Sequence, residues 1–140
     1  MPKVADFMTK GVLTIDSSKT VLQAAQLMTQ KEVGDVVVTI NDSPRGIVTE
    51  RDFVRRVIAK QIPLDTKIVD VMTKPLITIT PDASLGEAAR KMVENRIRRL
   101  PVVRDHQLVG IIAVSAIAKH LSRKTFSENM LEAIWRYPIP

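Results

Sequence analysis

Slid over itself by 64 positions with no gap, the chain matches residues 4–60 to residues 68–124, and 13 of the 57 pairs are identical. A register this long points to an internal duplication, and a repeat governs every later reading of the fold. DFMTK faces DVMTK, so Asp6, Met8, Thr9 and Lys10 recur as Asp70, Met72, Thr73 and Lys74. Thr14-Ile15 recurs as Thr78-Ile79, Ala24-Ala25 as Ala88-Ala89, Met28 as Met92, and Gly46-Ile47 as Gly110-Ile111. A copy of about 57 residues has little core of its own. The two copies are therefore expected to pack face to face around a pseudo-twofold axis. The boundaries expected are 1–66 for the first repeat, 67–124 for the second and 125–140 for a helical tail.

Each copy follows one grammar. A short apolar segment, VLTI or LITI, leads into a polar turn, DSSK or TPDA. A helix then begins at Thr20 or Ser84, both good N-caps. Its apolar residues Val21, Ala24, Ala25 and Met28, or Leu85, Ala88, Ala89 and Met92, fall at i, i+3, i+4, i+7. The alanine pairs suggest close approach of another backbone. A β-branched run (DVVVTI, RLPVV), a turn (NDSPRG, RDHQLVG) and a second strand (GIVT, GIIA) follow. A closing helix carries Phe53, Val54, Val57 and Ile58, or Ile117, Ala118 and Leu121. The fold class is thus α+β, β-α-β-β-α twice. After it, Ser127 can cap a short C-terminal helix, SENMLEAIWRY, stopped by Pro138 and Pro140. Its Met130, Leu131, Ile134 and Trp135 are expected to cover a core edge or a partner subunit.

One position breaks the repeat in an informative way. GIVTERDF in the first copy becomes GIIAVSAI in the second, so Thr49 and Asp52 face Ala113 and Ala116. Thr-x-x-Asp before an apolar helical run is a capping-box pattern, and on that reading the pair only starts a helix. Ser115 could cap the second copy if that helix began two residues later. The same residues also suit a ligand. A strand ending at Thr49 brings a hydroxyl to a helix N-terminus, a ready place for an anion. A carboxylate one turn further in can accept both hydroxyls of a ribose diol through charged hydrogen bonds.

The chain has no cysteine, which excludes a disulfide framework and a thiolate zinc site and suits a reducing cytoplasm. No apolar run approaches the roughly 18 residues of a membrane span, and MPKVADFMTK lacks a signal-peptide core. A cytoplasmic location and no membrane association are expected. The net charge of +6 is uneven: 8 basic against 7 acidic groups in 4–60, but 10 against 5 in 68–124. Arg90, Arg96, Arg98 and Arg99 supply much of the excess, which attracts anions such as a phosphorylated small molecule or a nucleic acid. No enzyme constellation is present. His106 and His120 are the only histidines and are expected in exposed polar roles, paired metal-ligand spacings are absent, and neither phosphate-binding glycine motif occurs.

Four features together resemble a tandem pair of cystathionine-β-synthase (CBS) domains, also called a Bateman module. They are the V-x-D-x-M-T-K opening, the helix with its alanine pair, RIRRLPVV and G-I-V-T-E-R-D-F. The resemblance covers about 120 of the 140 residues. It implies that [ST]-x-x-D, here Thr49 and Asp52, meets the phosphate and ribose of an adenine nucleotide. By position, Leu76 and Ile77 would hold the base, while Arg98, Arg99 and Pro101 would line the phosphate side. Arg98 and Arg99 are adjacent at a strand start and should point to opposite faces, so one strong phosphate contact is expected. The mirror site would use Val12, Leu13, Gly34 and Asp35 with Ala113 and Ala116, and it lacks hydroxyl, ribose carboxylate and arginine pair.

The resemblance thus implies a regulatory sensor of AMP, ADP or ATP with one competent site per chain. It would not be an enzyme, would form a homodimer through the closing helices and would act on an unidentified regulated protein. The catalytic barrel of longer relatives, as in inosine-monophosphate dehydrogenase, is not expected. Adenosylmethionine ranks below the phosphorylated ligands because its sulfonium sits poorly beside Arg98 and Arg99. Two other readings stay open. The pI of 9.9 and RIRR suit a nucleic-acid-binding protein, although 4% aromatic residues make stacking platforms scarce. A structural dimerisation module with no ligand is the other.

Overall fold

The computed structural model describes residues 2–122. The helix expected in the 125–140 tail, with Ser127, Met130, Leu131, Ile134, Trp135, Pro138 and Pro140, lies outside them. The chain is α+β, in the order β1 (Thr14–Asp16), α1 (Val21–Lys31), β2 (Asp35–Ile40), β3 (Ser43–Thr49) and α2 (Glu50–Asp52). Helix α2 continues directly into a π-helical stretch, Phe53–Ile58. The second copy supplies α3 (Leu85–Asn95), β4 (Arg99–Arg104), β5 (Gln107–Ala113) and α4 (Val114–Ser122).

The compact units do not follow the repeat boundaries. Among the described residues a central unit spans Val12–Ile77, and a flanking unit joins residues 2–11 to residues 78–122. Each opening segment therefore packs with the other copy's body. In the central unit Thr73 pairs with Ile47, its N–H donating at 2.8 Å and its carbonyl accepting at 3.1 Å. In the flanking unit Thr9 pairs with Ile111 in the same way, at 2.8 and 2.9 Å.

That crossing explains why Gly46 and Gly110 recur. A Cβ on Gly46 would stand 2.5 Å from Met72 Sδ and 2.9 Å from the Thr73 carbonyl oxygen. On Gly110 it would stand 2.6 Å from Met8 Sδ and 2.9 Å from the Thr9 oxygen. Met-Thr and Gly-Ile recur as a pair because one lies on the other.

In the central unit β1 pairs in parallel with β2, which pairs antiparallel with β3. Val36, Val37 and Val38 are all buried, as in a strand covered on both faces. Ile15, Val21, Ala24, Met28, Val48 and Val57 cluster with them or beside them in the core. In the flanking unit β4 pairs antiparallel with β5. The counterpart of β1 there is reduced to one parallel bridge, Ile79 to Val102, in the register of Ile15 to Val38. Leu85, Ala88, Ala89, Met92, Leu100, Ile112 and Ile117 are buried in this unit.

Backbone detail repeats at the 64-residue spacing. Helices α1 and α3 start on the Thr20 and Ser84 side chains, each accepting an N–H three residues on at 3.1 Å. They end on the left-handed residues Glu32 and Arg96, both at φ 55°. The hairpins turn through two left-handed residues, Asn41-Asp42 and Asp105-His106, the geometry of a two-residue hairpin loop. Strands β3 and β5 therefore begin earlier than GIVT and GIIA. Pro44 and Arg45, expected in the turn, are strand residues beside a register shift at Val38/Thr39, which tolerates a proline.

Candidate functional site

Strand β3 ends at Thr49 and α2 begins at Glu50, so Thr49 is the N-cap. Its side-chain oxygen accepts the Asp52 N–H at 3.4 Å, and its own N–H donates to Asp52 Oδ2 at 3.0 Å. That is the reciprocal capping box expected of Thr-x-x-Asp. The Glu50 N–H is taken by the Gly34 carbonyl at 3.1 Å. The second copy repeats this last bond, Val114 N–H to the Arg98 carbonyl at 2.7 Å. Helix α4 thus starts at Val114 directly after Ala113, without the two-residue shift that Ser115 capping requires. The backbone of the site is duplicated, and the oxygens of its cap are not.

Asp52 is 7% exposed, the one buried charged or polar residue among the described residues. Besides the Thr49 N–H, its carboxylate faces the Thr49 hydroxyl at 3.3 Å and the Thr73 hydroxyl at 3.1 and 3.4 Å. Arg56 Nε lies 3.5 Å from Oδ1, and its Nη1 donates to the carbonyls of Val71 and Met72 at 3.3 and 3.2 Å. The Arg56 side chain is 48% exposed, so the ion pair itself adds roughly 0–1 kcal/mol. Without such donors the carboxylate would be costly to bury.

The residues read from the sequence fall in both units. Thr49 and Asp52 meet directly in the central unit, where Leu76 and Ile77 are half-buried near its last residue. Arg98, Arg99 and Pro101 belong to the flanking unit. Arg98 and Arg99 are both exposed, one before β4 and one at its first residue. Pro101 is buried, and its carbonyl accepts the Ile79 N–H at 3.1 Å. Of the mirror-site positions, Val12, Leu13, Gly34 and Asp35 lie in the central unit and Ala113 and Ala116 in the flanking one.

Thr73 and Arg56 are missing from the sequence reading. Both had a signal: Thr73 stands in the repeated D-x-M-T-K, and Arg56 is four residues beyond Asp52 on a helix, within reach of its carboxylate. The position of Arg56 recurs as His120, and that of Val71 as Phe7. There the contact is aromatic, with ring centroids 4.9 Å apart and planes at 66°. His120 is half-buried, whereas His106 is exposed in its hairpin turn.

Two open cavities mark the central unit. One of about 610 Å³ is lined by Arg55, Arg56, Lys60, Ile62 and Asp70, among others. The other, of about 450 Å³, is bounded by Met28, Gly34, Glu50, Phe53 and Val54. Neither is lined by Thr49 or Asp52. No helix among the described residues is long and apolar enough to cross a membrane.

The family model of the CBS domain matches the chain twice, over residues 4–59 and 68–123. A CBS domain-containing protein of Bacillus subtilis, YhcV, is 36% identical over 118 residues, covering 84% of each chain. A putative signal-transduction protein with CBS domains from Burkholderia ambifaria superposes with a TM-score of 0.80 at 28% identity, over 90% of this chain and 98% of that one. A hexameric CBS-CP12 protein from bloom-forming cyanobacteria gives 0.79 at 33% identity, over 90% of this chain and 77% of its own. The duplicated grammar, the paired openings and these matches agree: the chain belongs to the CBS-domain family and carries two CBS domains in tandem.

Proposed function

We propose that the chain is a regulatory sensor of adenine nucleotides with one competent site, built on Thr49 and Asp52. CBS pairs are in general regulatory ligand-binding modules, and CBS domains commonly bind adenine nucleotides. Stand-alone CBS proteins are typically regulatory or signalling proteins rather than enzymes. The observation that carries the reading is the asymmetry of two otherwise matching β-to-α junctions. Thr49 and Asp52 present a hydroxyl and a buried carboxylate where Ala113 and Ala116 present methyl groups. Leu76 and Ile77 would hold the base, and Arg98, Arg99 and Pro101 the phosphate side. AMP, ADP and ATP are the candidate ligands, and ligand binding would act by favouring one conformer of the chain over another.

Isothermal titration with AMP, ADP, ATP and adenosylmethionine tests this directly. Saturation near one nucleotide per chain is expected. Two per chain would show that the alanines do not disable their junction, and no binding of any of the four would remove the reading. The surplus of 10 basic over 5 acidic groups in residues 68–124 favours nucleic acid as the second reading. Salt separates the two. Nucleic-acid affinity falls steeply with log salt because several counterions are released, whereas mononucleotide affinity changes less.

A further inference from the structure

We infer that Thr73 and Arg56 gate the Asp52 carboxylate, so that a ribose diol binds it only by displacing them and thereby frees the Val71–Thr73 segment from the α2 helix. The inference rests on the nucleotide reading above and names how that site is regulated. A carboxylate offers about four lone-pair positions. Four donors already face this one: the Thr49 N–H, the Thr49 hydroxyl, the Thr73 hydroxyl and Arg56 Nε. Asp52 is 7% exposed, so these neighbours leave a ligand little access to the carboxylate unless some of them move. The Thr49 N–H and hydroxyl oxygen are held in the helix cap and stay beside the carboxylate while the helix start is intact. Thr73 and Arg56 reach in from other positions, are both exposed residues, and can turn to solvent. A vicinal diol brings two hydroxyl donors, the number that these two side chains withdraw.

The displaced bonds hold one segment. Arg56 ties the carbonyls of Val71 and Met72, Thr73 ties itself to Asp52, and Met72 lies on Gly46. Once the side chains let go, the backbone pairing of Thr73 with Ile47 remains. This stretch runs covalently through residues 74–77 to Thr78, where the flanking unit resumes. Ligand occupancy is thereby coupled to the chain that joins the units. The flanking unit keeps the backbone pairing of Thr9 with Ile111 but has Ala116 and His120 in place of Asp52 and Arg56, so the opening segment of the first copy, which packs there, carries no such gate.

Thr73→Val keeps the shape of the side chain and removes its donor. Titrated with AMP, ADP and ATP, it should bind about 3- to 10-fold more tightly than the wild type, since one hydrogen bond no longer has to be displaced. In the wild type, saturating nucleotide should speed amide hydrogen exchange over residues 71–74 while leaving β2 unchanged. That measurement needs no substitution. Unchanged or weaker binding by Thr73→Val, or unchanged or slower exchange over 71–74 on binding, would overturn the gate and leave the sensor reading standing. Failure of the wild type to bind any of the three would overturn both.

Discussion

At the scale of the residue, Asp52 has two separable tasks, to cap a helix and to present charge. Asp52→Asn retains an amide oxygen that can accept the Thr49 N–H, whereas Asp52→Ala removes that acceptor and the charge together. Thr49 stays as N-cap in both variants, and losing the return hydrogen bond of the capping box costs about 0.5–1.5 kcal/mol, so Asp52→Ala should shift the urea midpoint more than Asp52→Asn does. Both should weaken nucleotide binding about 10- to 150-fold, because charged hydrogen bonds contribute roughly 1.5–3 kcal/mol. If Asp52→Asn bound as tightly as the wild type in titration calorimetry, the carboxylate would be a cap and nothing more. The Thr-x-x-Asp spacing was legible because a cap is local, three residues from donor to acceptor. The repeated D-x-M-T-K marked Thr73 as a recurring residue but not its partner, since it reaches Asp52 across 21 residues and no periodicity records such a contact.

At the scale of the element, the N-caps, the alternation of helices and strands and the core-facing helix residues could be read from the sequence. The hairpin turns could not be placed as well. Pro44 and Gly46 look like turn residues, but the turn sits at Asn41-Asp42, and Gly46 serves close packing instead. The closing helix differed too. Val57 is buried and Phe53 half-buried, yet Val54 and Ile58 are 57% and 69% exposed. Apolar residues at four positions span more of a helix than one core contact covers, and hydrophobicity alone does not say which half faces inward. The stretch is also π-helical, with Ala59 N–H bonded to the Val54 carbonyl at 2.9 Å and Ile62 N–H to Val57 at 3.2 Å. Gly46→Ala tests the crossing of the opening segments. Its Cβ meets a backbone carbonyl engaged in pairing, so overpacking should cost about 1–3 kcal/mol, and Gly110→Ala a similar amount. Urea denaturation measures both. A cost under about 0.5 kcal/mol in either would mean that the Met-Thr segment yields easily.

At the scale of the whole molecule, the exposed Val54 and Ile58 bear on assembly. They stand four residues apart on the helix that follows the Gly-Ile strand, the face expected to join two copies. CBS-pair proteins are often oligomeric, the hexameric cyanobacterial relative among them. A homodimer is proposed here, and light scattering after gel filtration should give twice the mass of one chain. Replacing both residues by glutamate should return a monomer, because charge buried in an apolar contact is unfavourable. A wild-type monomer at micromolar concentration would remove this proposal. The duplication permits a sharper test of the proposal that only one junction binds. Ala113→Thr with Ala116→Asp restores the cap and carboxylate of the first copy on a backbone that already matches it. By repeat position Gly34 and Asp35 replace the proposed phosphate-side Arg98 and Arg99, and an acidic group there would repel phosphate. The double variant should therefore raise the stoichiometry of adenosine towards two per chain and leave that of ATP near one. Calorimetry with both ligands reads the outcome. Two ATP per chain would assign the silence to the missing hydroxyl and carboxylate alone. No gain for adenosine would show that base contacts at Val12 and Leu13 have been lost as well.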